Sequence, residues 1–153
     1  MKIPDPPWAE NDNLRGEYAA LFSQVQRDIP FARIALQRDP DAINLWIGNS
    51  RSVTALHRDN YENVYVQVLG RKHFALLPPV CHPCVRERPL RQATYARGPE
   101  GELRLGLDAE GGEVPFACWD PDNEADGAGF EGLAEVVKVT LEPGDMLYLP
   151  AMW

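Results

Sequence analysis

Residues 54–65 read TALHRDNYENVY and combine a strand-forming run with a cluster of polar groups. From Asn63 onward the run is rich in valine and tyrosine, which are enriched in β-strands. Just before it, His57 and Asp59 are separated by a single residue. In an extended chain, residues two apart point to the same face. The imidazole and the carboxylate can therefore reach one metal ion.

Short segments of strand character lie on both sides of this stretch. Alternating or β-branched residues bounded by turn formers predict strands at 43–47, 53–57, 63–69, 72–77, 136–141 and 146–150. The Gly70-Arg71 pair predicts that 63–69 and 72–77 form a hairpin. Apolar residues at helical spacing predict a helix over 14–25, capped by Asn13, and a second over 31–36. This order predicts a mainly β domain with N-terminal helices, of the jelly-roll kind.

Composition argues against several classes of protein. The chain has 153 residues, with 15 Lys plus Arg against 23 Asp plus Glu, and a net charge of −8. Nucleic-acid binding needs a basic face, so this charge argues against that function. Because there is no apolar run of about 18 residues, no membrane span is predicted. Three cysteines, an odd number, argue against a disulfide framework and favour a reducing compartment, cytoplasmic and/or nuclear.

Charge is distributed unevenly along the chain. Residues 51–97 carry eight basic and three acidic side chains, whereas 99–135 carry one basic and eleven acidic ones. The acidic run is interpreted either as a solvated loop or as a lid that attracts a basic partner. It overlaps 80–132, which is loop-rich and predicts a long acidic insertion in the domain.

The spacing of His57 and Asp59 is weak evidence by itself, because short patterns arise by chance. Two histidines and one carboxylate form the ligand set of non-haem Fe(II) oxygenases. A competing motif, Cys81-His82-Pro83-Cys84 with Cys118, has the spacing of half a zinc site but lacks a fourth ligand. A cysteine nucleophile in this motif would lack an orienting group. His73 and His82 are expected at packed or surface positions.

The wider pattern around His57 resembles the JmjC-type (cupin-like) hydroxylases, most of all a subgroup associated with protein lysyl hydroxylation. In that family a Thr lies three residues before the first histidine ligand, an Asn six after it and a Lys fifteen after it. Thr54, Asn63 and Lys72 occupy those positions here. The resemblance covers about residues 13–80 and 136–153, and it implies a partial double-stranded β-helix.

The resemblance also implies a cofactor and a co-substrate. His57 and Asp59 would bind Fe(II), while Thr54, Asn63 and Lys72 would bind 2-oxoglutarate. Lys72 would supply a cation to the far carboxylate of this dianion, Thr54 a hydroxyl donor, and Asn63 a donor to the carboxylate near the metal. Thr54 differs in parity from His57, so its role requires a bulge or twist between them.

One part of the family pattern is missing. A third ligand, a histidine, is expected a few residues after Trp153, where the sequence stops. The chain is therefore interpreted as a lead-in at 1–12 followed by an incomplete JmjC/cupin-like domain at 13–153, cut from a larger enzyme. Two hypotheses follow: a fragment of an Fe(II)- and 2-oxoglutarate-dependent protein hydroxylase, or a non-catalytic cupin-like binding module or pseudoenzyme.

The expected partners follow from the same family resemblance. They are 2-oxoglutarate, O2 and a protein substrate of basic character, with lysine as the hydroxylated residue by resemblance. A homodimer is expected for the full-length protein, and neither nucleic acid nor membrane is expected as a partner.

Overall fold

The computed structural model describes residues 12–109, 111–123 and 134–153. The chain divides into two compact units, Met1–Val53 and Thr54–Trp153. The predicted lead-in at 1–12 lies almost wholly outside the described residues, and the predicted domain bounds stay a prediction. Within the described ranges, no helix combines the length and the apolar character that a membrane crossing needs.

The first unit contains two short helices, α1 (Ala19–Phe22) and α2 (Pro30–Leu36). Proline at the start of α2 suits the first turn, where its missing N–H costs no bond, and Gln37 ends the helix in a left-handed conformation with φ 52°. The predicted second helix is thus confirmed.

The first predicted helix and the first predicted strand are largely wrong, and hydrogen bonds between these two segments explain both differences. The Asn13 side chain, expected to cap a helix, accepts the N–H of Leu45 at 2.7 Å and donates to its carbonyl at 3.1 Å. The Asp12 carboxylate accepts the N–H of Ile43 at 2.8 Å. Because side chains take up these backbone groups, 43–47 forms no strand, and only Ala19–Phe22 of the predicted helix is helical.

The second unit is built from strands. They are β1 (Asn63–Val66), β2 (Lys72–Leu76), β3 (Glu87–Arg91), β4 (Ala93–Arg97), β5 (Leu103–Leu107), β6 (Glu113–Ala117), β7 (Val137–Leu141) and β8 (Met146–Leu149). They pair antiparallel as β1 with β8, β2 with β7, β3 with β6, and β4 with β5. The segment 53–57, predicted as a strand, has no ladder partner and is irregular.

The predicted hairpin between 63–69 and 72–77 is wrong, since β1 and β2 pair with different strands. Beyond Val66 the backbone of Gln67 still bonds to the β7–β8 turn, through Asp145 O at 3.0 Å and Gly144 N at 2.8 Å. The chain then turns through Gly70, whose φ of 71° favours glycine, and enters the other strand pair. Successive strands β1 and β2 thus belong to different sheets, as in a jelly roll, and the predicted fold class is confirmed.

The β1–β8 and β2–β7 pairs meet across one aromatic contact. The ring centroids of Tyr65 and Phe74 lie 5.1 Å apart with their planes at 73°, an edge-to-face arrangement. Strand alternation places Asn63 on the same face as Tyr65, and Lys72 on the same face as Phe74. The residues opposite these four in the ladders are Leu149, Leu147, Leu141 and Val139. This inner face is apolar apart from Asn63 and Lys72.

The segment 80–132, predicted to be loop-rich, contains more structure than expected. A 3₁₀ helix spans Pro79–Cys84, and β3 to β6 form a long two-stranded ribbon. Pro89 and Pro115 face each other in it, which a two-stranded ribbon tolerates because both of its strands are edges. The sequence did not predict β5 and β6, because surrounding glycines and carboxylates obscure the alternation of apolar and polar residues within 103–107 and 113–117. Residues 110 and 124–132 of this segment lie outside the described residues.

Candidate functional site

His57 and Asp59 lie side by side in the loop that leads into β1. His57 Nε2 is 3.8 Å from Asp59 Oδ2, and about half of each side chain is exposed. The other ring nitrogen, Nδ1, lies 2.8 Å from the Ala55 carbonyl. A carbonyl can only accept, so this bond requires the proton on Nδ1 and leaves Nε2, on the side of the carboxylate, as the nitrogen that could bind a metal. A backbone carbonyl on the distal nitrogen is a common way to orient a metal-binding histidine.

This loop is fastened to the end of the β1–β8 pair. The Met152 N–H donates to the Asp59 carbonyl at 2.7 Å, and Asn63 is paired with Leu149 in the ladder just above. Met152 has a φ of 75°, which is uncommon for a residue with a side chain. The turn after β8 therefore lies directly against the residue that carries the candidate carboxylate ligand.

Asn63 begins β1 at the same end of the strand pair. Its amide donates to the Tyr61 carbonyl at 3.2 Å, and its half-buried side chain lies on the inner face with Tyr65. Asn63 thus lies at the end of the β1–β8 pair that the His57–Asp59 loop enters, and its predicted role in binding stays a prediction.

Lys72 carries its charge on the inner face among aromatic rings. Its Nζ lies 4.6 Å from the centroid of Tyr65 and 5.1 Å from that of Phe74. Partial burial lowers the pKa of Lys72, because removing water disfavours the charged amine. The same burial raises the pKa of the Tyr65 phenol. A partly dehydrated ammonium on an otherwise apolar face is suited to binding an anion.

Thr54 is not brought to this group by any described contact. Its side chain is exposed and its segment is irregular, so the bulge that its predicted role required does not occur within a strand. The contribution of Thr54 to the site stays a prediction.

The described residues contain no group of three His, Cys, Asp or Glu side chains that could hold a metal ion. Cys81, Cys84 and Cys118 are free thiols, and the structure gives the zinc alternative no support. His73 lies on the outer face of β2, opposite to the face that carries Lys72 and Phe74, and its Nδ1 is 2.6 Å from Thr140 Oγ1.

Sequence reasoning missed the aromatic pair that surrounds Lys72. Tyr65 lies two residues after Asn63, and Phe74 two residues after Lys72. This spacing could have placed all four on inner faces, had the two strands been assigned to opposing sheets rather than to one hairpin.

Comparisons with known proteins identify the family to which this chain is similar. A family model described as a cupin-like domain matches residues 2–153. The human bifunctional peptidase and (3S)-lysyl hydroxylase JMJD7 is 38% identical over 144 residues, covering 92% of this chain and 45% of the relative. The Arabidopsis thaliana lysine-specific demethylase JMJ32 is 34% identical over 94% of this chain and 44% of its own length. JmjC domain-containing protein E of Dictyostelium discoideum is 29% identical over the same shares. The chain thus spans less than half the length of these relatives.

Proposed function

The chain belongs to the cupin-like domain family, and from this premise we propose that the complete protein is an Fe(II)- and 2-oxoglutarate-dependent oxygenase that hydroxylates a protein side chain. The observation that carries the proposal is the position of Lys72. Its ammonium lies on the inner face of one strand pair, and the His57–Asp59 loop lies at the end of the opposing pair.

The metal-binding part of the proposal rests on the donor set. The lone pair of His57 Nε2 and the Asp59 carboxylate are a neutral nitrogen and an anionic oxygen, which suit Fe(II). By resemblance the third ligand is a histidine, and none of the described residues supplies it. When bound, Fe(II) would supply the oxygen chemistry in which 2-oxoglutarate, O2 and a substrate C–H give succinate, CO2 and a substrate C–OH.

The co-substrate part rests on charge. 2-Oxoglutarate is a dianion, and its far carboxylate needs a cation where water is excluded. Lys72 provides one, framed by Tyr65 and Phe74. Asn63, at the metal end of the same interior, would donate to the carboxylate near the metal, and Thr54 would add a hydroxyl donor.

The substrate assigned here is a lysyl residue of a basic protein. One relative is named a (3S)-lysyl hydroxylase and another a lysine-specific demethylase, and lysine is common to both names. A homodimer and a cytoplasmic and/or nuclear location are parts of the same proposal.

The second candidate function is a non-catalytic cupin-like binding module or pseudoenzyme. It is favoured by one observation: only two candidate ligands, His57 and Asp59, are brought together among the described residues.

Turnover of 2-oxoglutarate by the full-length protein distinguishes the oxygenase from the binding module. In the oxygenase, His57→Ala lowers succinate formation by about 100-fold or more, because even second-shell changes at metal sites cost about 10–100-fold. His73→Ala, which removes the histidine on the outer face of β2, is the matched control and leaves turnover unchanged.

Binding of 2-oxoglutarate provides the second arm, with Mn(II) in place of Fe(II). Lys72→Met raises the dissociation constant by about 30-fold or more, since losing one partner of a desolvated charge pair costs about 2 kcal/mol or more. The control is Lys138→Met, which removes a lysine on the outer face of β7 that is paired with Asp122. It keeps the dissociation constant within about twofold of the wild-type value. Wild-type protein that neither binds Mn(II) nor forms succinate would favour the binding module instead.

A further inference from the structure

The loop that carries His57 and Asp59 is tied to the inserted ribbon by the residue between them. Arg58 Nη2 lies 3.7 Å from Glu87 Oε2, and Glu87 is the first residue of β3. The side chains of His57 and Asp59 approach each other, while that of Arg58 reaches the ribbon. The loop is thus held at its central residue without using either candidate ligand.

Glu87 is the fixed member of this contact. It is paired in the ladder with Ala117, which is buried, whereas Arg58 belongs to a segment without regular secondary structure. The Glu87 side chain is 26% exposed and that of Arg58 37%. The ribbon therefore restrains the position of the loop, rather than the reverse.

The imidazole of His82, from the 3₁₀ helix Pro79–Cys84, lies against the Glu87 carboxylate. His82 Nε2 is 3.0 Å from Oε2, the same oxygen that faces Arg58, although the two atoms do not have hydrogen-bond geometry. The ring beside Oε2 limits the space in which the carboxylate can move.

We propose that Glu87 is a positioning residue that orders the His57–Asp59 loop through Arg58, an inference that rests on the proposed metal-binding function of that loop. An exposed ion pair contributes only about 0–1 kcal/mol to global stability. Its effect is therefore expected in the local order of the loop and in metal affinity, while the stability of the fold hardly changes.

Amide hydrogen exchange of the metal-free full-length protein tests the tether directly. Glu87→Gln keeps the shape of the side chain and removes its charge. It increases exchange in peptides covering 55–61 by about three- to tenfold, because local opening follows the loss of local contacts. Exchange in β1 and β7 and the midpoint of thermal unfolding stay close to those of the wild type.

The control is Glu102→Gln, which removes another carboxylate at the ribbon that forms an ion pair with an arginine, Arg104. It leaves exchange in 55–61 unchanged. Arg58→Gln reproduces the effect of Glu87→Gln, and the double variant adds nothing further, since both changes remove one interaction. Unchanged exchange in Glu87→Gln, or additive effects in the double variant, would overturn the tether.

Mn(II) binding, followed by the electron paramagnetic resonance signal of free Mn(II), then tests positioning of the metal ligands. Glu87→Gln raises the dissociation constant by about three- to tenfold, at the low end of second-shell effects because the pair is partly exposed. An unchanged constant, alongside a wild type that binds Mn(II) and His57→Ala that does not, overturns the positioning role and leaves the proposed function intact. A wild type that fails to bind Mn(II) defeats the proposed function and the metal-positioning role with it, while hydrogen exchange still decides the tether.

Discussion

At the scale of single residues, Lys72 combines a proposed role in binding with a cost to folding. Its ammonium has lost part of its hydration shell and lies over the faces of two aromatic rings. A cation–π contact recovers part of the lost hydration. A ligand carboxylate beside a partly dehydrated ammonium interacts with it more strongly than in water, which would favour binding of a dianion.

The lowered pKa of Lys72 predicts a pH dependence of stability. Between the folded pKa and the unfolded value of 10.5, the unfolded chain binds more protons than the folded one. Stability without 2-oxoglutarate therefore rises as the pH climbs through this alkaline window. Lys72→Met lacks that rise and, at pH 7, unfolds about 1–3 °C higher than the wild type, because a dehydrated charge is gone.

Thermal unfolding of the full-length protein at pH 7 and pH 10 measures both effects, with Lys138→Met as control. The ammonium of Lys138 is exposed and paired with Asp122, so its removal should not raise the midpoint. A Lys72→Met protein that melts below the wild type at pH 7 would mean that the lysine stem contributes more by packing than its charge costs.

Residue spacing predicted some of the proximities at the candidate site. The one-residue interval between His57 and Asp59 is local, so their proximity followed from chain geometry. Lys72 was located by its position in the family pattern. The aromatic rings around it were not, because contact between Tyr65 and Phe74 depends on which sheet each strand joins, and short-range spacing does not encode that choice.

At the scale of strands and helices, alternation in the sequence located β1, β2, β7 and β8 but not their partners. A turn such as Gly70-Arg71 suits a hairpin as well as a crossing between sheets. Burial decides between them: the observed pairing sets Lys72 opposite Leu141, which is 4% exposed, and closes both inner faces. Side chains of Asp12 and Asn13 overrode helix and strand propensity in the same way.

The role of Leu141 as the buried end of the β2–β7 pair predicts a large loss on truncation. Leu141→Ala lowers the free energy of unfolding by about 2–4 kcal/mol, through lost burial and the cavity left behind. Val137, at the other end of β7, is 53% exposed, and Val137→Ala costs less than about 1 kcal/mol. Urea denaturation of the two variants measures the difference, and equal losses would argue against the observed burial of Leu141 at its end of β7.

At the scale of the whole molecule, the uneven distribution of charge along the second unit predicts faster encounters with a basic partner. Exposed carboxylates lie along the ribbon and beside β7, including Glu100, Glu113 and Glu135. The net charge of −8 adds an attraction for cations at long range. Fields of this kind change association rates more than dissociation rates, and salt screens them.

Neutralising Glu100, Glu113 and Glu135 together to glutamine should therefore slow capture of a lysine-rich peptide. The association rate constant of the full-length protein falls about three- to tenfold at low ionic strength and converges with that of the wild type near 0.5 M salt, while the dissociation rate constant stays the same. Stopped-flow fluorescence with a labelled peptide measures both. Replacing Glu17, Asp39 and Glu142 by their amides removes the same net charge elsewhere on the chain. If that control slows association as much as the first triple variant does, net charge alone attracts the peptide. If only the first variant is slow, the ribbon and the start of β7 direct a basic substrate toward the site.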